Sequence, residues 1–119
     1  MTRSTTKLMM TIAGLGLVGC APVQIPEDRL ESSEASIRGA EELGANGLPA
    51  AKLHLQLAKD QTAVAKKMAA DGDERAVLVL ARAESDAELA LGLARAASVH
   101  ADALQATQDL QAVRARGIQ

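Results

Sequence analysis

Apolar residues recur at helical spacing along most of the chain, in segments that glycine and proline separate. Three alanine-rich segments, about 27–43, 49–70 and 74–116, lack the alternation of apolar and polar residues that is typical of strands. Pro26 and Pro49 stand where helices start, and Gly44 and Gly72 stand where helices end, with Asp73 as the next N-cap. The pattern predicts an all-α protein with one helical domain over residues 27–116.

The second and third segments carry small and apolar residues at alternating spacings of three and four, the heptad pattern of bundles and coiled coils. In the second segment these residues are Leu48, Ala51, Leu55, Ala58, Thr62, Ala65 and Ala69. In the third they are Ala76, Leu80, Ala83, Ala87, Ala90, Ala94, Ala97, Ala101 and Leu104. We therefore expect an elongated antiparallel helical hairpin or three-helix bundle with one long C-terminal helix.

The sequence leaves the geometry around this hairpin open. A tight turn at Gly72 would bring Lys59 near Glu84 and Asp60 near Arg82, which are pairs of opposite charge. The third segment is about twice as long as the second, so its last part either packs against the first segment or projects as a free rod. The first segment packs either on the second or on this distal part.

Composition excludes some classes of partner. The chain has no Trp, Tyr or Phe, so a nucleic-acid base has no aromatic ring on which to stack. Its 13 basic and 15 acidic residues give a net charge of −2, which disfavours capture of a phosphate backbone. We expect no nucleic-acid partner.

The N-terminus has the organisation of an export signal. Arg3 and Lys7 precede an apolar run over residues 8–18, which is followed by Gly19 and Cys20. As a helix this run reaches roughly 16 Å, about half the hydrocarbon core of a bilayer, so it is too short to span a membrane. The sequence therefore predicts a removable signal over residues 1–19.

Leu17, Val18, Gly19 and Cys20 resemble the lipobox of bacterial lipoproteins. The resemblance implies cleavage between Gly19 and Cys20, acyl chains on Cys20, and a lipidated tether over residues 20–26. Two or three acyl chains suffice for stable membrane anchoring. Because Ala21 is not the Asp of inner-membrane retention, the outer membrane is expected, with the body on its periplasmic face. Inner-membrane retention and an ordinary secretion signal remain alternatives.

Residues 53–61, 72–76 and 82–90 of the body resemble the alanine-rich bacterial lipoprotein family known as domain of unknown function 4398. Leu48 departs from a tyrosine that is common in the family. The resemblance implies a helical hairpin or three-helix domain, often found beside peptidoglycan-binding modules. It carries over no catalytic residue.

The residues that could carry chemistry are sparse. His54 is expected to face about Leu89 and to lie far from His100, so a shared metal site is disfavoured. Glu84 and Glu88 share a helix face, but no histidine or third ligand converges on them. We expect no catalytic residue, no metal, no cofactor and no small-molecule substrate, and hence no enzyme.

These observations favour a structural or adaptor role through contacts between helix faces. The expected partner is another envelope protein or a second copy, and the membrane is bound through Cys20. The predicted interaction face consists of Ala83, Ala87, Ala90, Ala94, Ala97 and Ala101. The alternative is a lipid- or cell-wall-binding module of the envelope.

Overall fold

The computed structural model describes residues 22–118, which form three α-helices. Helix α1 spans Glu27–Glu42, α2 spans Pro49–Ala70 and α3 spans Ala76–Gly117, and a short 3₁₀ helix over Ala45–Gly47 joins α1 to α2. The described part contains no strand. The predicted elongated all-α fold with one long C-terminal helix is confirmed, and the hairpin is completed by α1 into a three-helix bundle.

The ends of α1 and α2 follow local chemistry. Helix α1 begins directly after Pro26, and Glu27 and Asp28 place negative charge in its first turn, where the helix dipole favours it. Gly44 follows α1 with a φ of 79°, which lies in the left-handed region that side chains other than glycine's rarely adopt. Pro49 is the first residue of α2. Local chemistry therefore fixes these boundaries.

The turn between α2 and α3 differs from the prediction in its cap. Gly72 has a φ of 77°, as its position after α2 requires, but α3 begins at Ala76 and its N-cap is Arg75 rather than Asp73. The Asp73 carboxylate instead accepts a hydrogen bond of 3.0 Å from the Arg75 backbone N–H and others from its guanidinium. These hydrogen bonds from Arg75 hold the pKa of Asp73 below its ordinary value of 3.8.

The predicted heptad positions form the contact between α2 and α3. All six buried residues of α2 and all six of α3 belong to them. Matched in antiparallel order, the residue numbers have the same sum in every pair: Ala51 with Ala94, Leu55 with Ala90, Ala58 with Ala87, Thr62 with Ala83, Ala65 with Leu80, and Ala69 with Ala76. Small side chains let the two helices approach closely while they bury little apolar area.

Helix α1 packs on both α2 and the first half of α3. Its ion pairs run antiparallel along α2, from Glu34 to Lys66 and from Glu41 to Lys59. The Arg29 guanidinium donates to Glu84 on α3 at 3.0 Å. The predicted pair of Lys59 with Glu84 is therefore wrong, because α1 supplies the nearer opposite charge to each of them.

The first half of α3 is packed and the second half projects from the bundle. Every residue of 98–118 is exposed, whereas Ala94 is fully buried. Helix α1 has 16 residues and is about 24 Å long, so it ends before it reaches the distal part of α3. Of the two geometries that the sequence left open, the projecting rod is the one observed.

The described part of the tether contacts the bundle. The Val23 backbone N–H donates a hydrogen bond of 3.0 Å to the carbonyl of Ala69, at the end of α2. Residues 22–26 therefore leave the bundle at the end that carries the Gly72 turn. The expected lipidation and cleavage at Gly19 and Cys20 lie outside the described residues.

Candidate functional site

The structure divides the predicted alanine face. Ala83, Ala87, Ala90 and Ala94 are fully buried, because α2 covers them inside the same chain. For these four residues the predicted role in partner contact is wrong, since they form the hairpin core. Ala97 is half-buried at the end of the bundle, and Ala101 is exposed on the projecting half of α3.

Another face of α3 is exposed over nearly its whole length. We call it the outer stripe, and its members recur at spacings of three and four: Leu78, Arg82, Ser85, Leu89, Gly92, Ala96, Val99, Ala103, Ala106, Leu110 and Val113. Each of them belongs to the exposed class. Leu89, Val99, Leu110 and Val113 are 46%, 67%, 58% and 64% exposed. The stripe has the heptad spacing of a helix that packs against another helix.

Beside the bundle, the outer stripe forms one wall of a groove between α2 and α3. The groove has a volume of about 530 Å³ and is open to solvent. The stripe contributes Leu78, Arg82, Ser85 and Leu89 to it, while α2 contributes Gln61. Four members of the stripe therefore line a concave surface. The members beyond Ala96 lie on the convex surface of the projecting half of α3.

A polar cluster links the two walls of the groove. His54 Nδ1 lies 2.8 Å from Asp86 Oδ1, and the Gln61 side-chain amide donates to Asp86 Oδ2 at 2.9 Å. Gln61 Oε1 is buried without a hydrogen-bond partner in the described chain. The sequence placed His54 opposite Leu89, and it missed this cluster because His54 and Gln61, seven residues apart on α2, both reach diagonally along the helices to Asp86.

The predicted acid–base candidates are not brought together. Glu84 is held by Arg29, and Glu88 is exposed one turn further along α3. His100 lies on the projecting half of α3, away from His54 on α2. Within residues 22–118, no three His, Cys, Asp or Glu side chains are grouped so that they could hold a metal ion.

Exposed leucine and valine side chains are the signal that sequence reasoning underused. The series of heptad positions can be extended from Leu89 to Val113 without any structure, because the spacing of three and four persists. Within residues 22–118, no helix has an apolar stretch of the length that a membrane span needs.

The chain matches no protein-family model, and comparisons with curated proteins and with solved structures find no match.

Proposed function

We propose that this protein is a lipid-anchored envelope lipoprotein with a structural or adaptor role, and that the outer stripe is its contact surface. The observation that carries the role is the exposed, heptad-spaced apolar stripe on a helix half that packs on nothing in residues 22–118. Helices with such stripes bury them against other helices. The lipobox-like residues 17–20 support anchoring through Cys20 at the periplasmic face of the outer membrane.

The anchor is tested by fractionation of cells that express the full chain. The wild-type protein is expected in the outer-membrane fraction, and Cys20→Ala is expected to release it from membranes. A Cys20→Ala protein that remains with membranes would contradict the proposed anchor.

The contact surface is tested by site-specific photo-cross-linking in intact cells. A photoreactive residue in place of Val113, within the outer stripe, is expected to form a discrete cross-linked product. The same residue in place of Gln108, on the opposite face of the projecting half, is the matched control and is expected to form none.

Two leucine substitutions show whether the product depends on the stripe. Leu110→Glu places a charge in the stripe, whereas Leu104→Glu places the same charge on the same exposed helix half outside the stripe. The Val113 product should disappear with the first substitution and persist with the second. Equal loss with both, or no loss with either, would refute the proposed surface.

The groove between α2 and α3 favours a second candidate, the binding of a lipid or cell-wall ligand. Its walls combine exposed leucine with the polar side chains of Arg82 and Asp86. Native mass spectrometry of the protein from detergent-solubilised envelopes is the test. Co-purified lipid or peptidoglycan fragments that are lost in Leu89→Glu would favour this candidate over the adaptor.

A further inference from the structure

We propose that the partner of the outer stripe is a second copy of this chain, paired antiparallel over residues 85–117 of α3. The inference rests on the proposed function, because it names the partner of the same surface. The fit of side-chain sizes along the stripe and the charges that flank it support the antiparallel pairing.

The outer stripe has a notch at Gly92. A Cβ atom built on Gly92 meets no atom within 4 Å, so the surface there is open. One antiparallel alignment places Leu110 of the second copy over Gly92. The same alignment places Val113 of the second copy over Leu89, and Val99 over Ala103. Leu110 and Val99 then meet residues with no or small side chains, as in tightly packed antiparallel helices. The layer between them pairs Ala96 with Ala106.

The charged residues of the projecting half flank the outer stripe. On the projecting half, over 98–117, all Asp and Arg residues lie immediately beside the outer stripe: Asp102, Asp109, Arg114 and Arg116. The face opposite the stripe carries Ala, Gln, Ser98 and Leu104 instead. A helix that only needs solubility has no reason to place its charges this way, whereas charges that flank an apolar seam set the partner and the register of coiled coils.

The alignment set by Gly92 also pairs opposite charges. Arg116 of one copy comes beside Glu88 of the other, and Asp109 comes beside Arg95. Because a two-fold axis relates the copies, each pair occurs twice. Asp102 lies near the two-fold axis and faces Asp102 of the second copy. Among the charged flanking residues that the alignment pairs, it is the only one that meets a like charge.

Competing alignments fit less well. A shift of one heptad, in the direction that shortens the overlap, brings Arg95 beside Arg116 and Asp102 beside Asp109, which are like charges. A parallel pair places Gly92 against Gly92 and leaves the notch unfilled. Of these three alignments, the antiparallel one set by Gly92 is the one that both fills the notch and pairs opposite charges.

In this register the tip of α3 from each copy lies along the groove of the other. Val113 of the second copy rests over Leu89, which lines the groove. The tip takes the place of a fourth helix beside the three-helix bundle. The concave and convex parts of the outer stripe thus complement each other.

A charge exchange between Glu88 and Arg116 tests the pairing. The two residues are 28 positions apart on one helix, about 42 Å, so they influence each other only between copies. In full-length protein in detergent solution, we expect Glu88→Arg and Arg116→Glu each to raise the dimer dissociation constant at least tenfold, as measured by sedimentation equilibrium. Glu31 is exposed on α1, so Glu31→Arg is the matched control. It is expected to leave the dimer dissociation constant within threefold of wild type.

The reversal is the decisive step. The double variant Glu88→Arg/Arg116→Glu should recover dimers, and an equimolar mixture of the two single variants should form heterodimers. A wild-type protein that is monomeric at all concentrations, or a dimer that the exchange does not restore, would overturn the inference. If the Val113 cross-link in cells then joins a different envelope protein, the proposed function stands without self-pairing; if that cross-link is also absent, both fail.

Discussion

The two halves of α3 carry the same kind of sequence and have different environments. In residues 76–97, heptad-spaced alanines such as Ala87 and Ala94 are fully buried against α2. In residues 98–117, the same spacing continues through Ala101 and Leu104, and all of these residues are exposed. A heptad pattern therefore specifies a surface that is suited to packing. Whether that surface becomes core depends on the length of the helix that faces it.

The largest difference between the halves should appear on burial of a charge. Ala87→Glu places an uncompensated carboxylate between α2 and α3, and we expect it to cost about 4 kcal/mol or more and to unfold this small bundle. Ala101→Glu makes the same change on the projecting half and should stay within about 0.5 kcal/mol. Circular dichroism during urea denaturation measures both. A folded Ala87→Glu variant would contradict the hairpin core.

A truncated leucine gives a smaller effect with the same contrast. Leu80 is fully buried, so Leu80→Ala should lower the free energy of unfolding by about 2–5 kcal/mol. Leu110→Ala on the projecting half, at a protein concentration where the chain is monomeric, should change it by less than about 0.5 kcal/mol. The same denaturation experiment applies. Equal losses in the two variants would show that the projecting half is packed as well.

The join between α1 and α2 should be more sensitive than its exposure suggests. Gly44 has a φ of 79° and open space around an added Cβ, so Gly44→Ala is strained by backbone conformation alone and should cost about 1–2 kcal/mol. Gly47 also has open space and no positive φ. Gly47→Ala is therefore the control, and thermal unfolding should show little change. A Gly44→Ala variant as stable as wild type would contradict the left-handed turn.

The smallest effect concerns the turn at the packed end of α3. Because Arg75 lowers the pKa of Asp73 in the folded state, ionised Asp73 adds stability above the unfolded value of 3.8. That contribution is lost as the pH falls through the lower folded value. Asp73→Asn should therefore lower the melting temperature at pH 7 and have a smaller effect at pH 2. Asp71→Asn in the same turn is the control, and a loss that is equal at both pH values would contradict the ion pair.

Local sequence chemistry accounts for much of the fold. Pro26, Gly44, Pro49 and Gly72 mark helix ends within one or two residues of where the structure has them, because their φ preferences act without help from distant residues. The heptad positions from Ala51 to Ala94 identify the hairpin core for a similar reason, since period and amphipathicity are properties of a single helix.

The candidate site was predicted less well. Ala83 and Ala90 were expected to meet a partner, and the structure buries them within the chain. A seam of small residues is equally suited to an internal and an external helix, so sequence alone cannot assign it. The outer stripe from Leu89 to Val113 carries the same spacing, and it became visible as a surface only when α2 was seen to occupy the other face.

The helices, their ends and the residues that are able to pack follow from local sequence, because they depend on neighbours within about one turn. Which helix covers each face depends on the packing of the whole bundle. Helix α1 packs beside Glu84 of α3 and Lys59 of α2, α2 packs on the buried alanines of α3, and the outer stripe remains exposed. The reason is geometric: α1 and α2 are much shorter than α3, so they cover only its first half and only two of its faces.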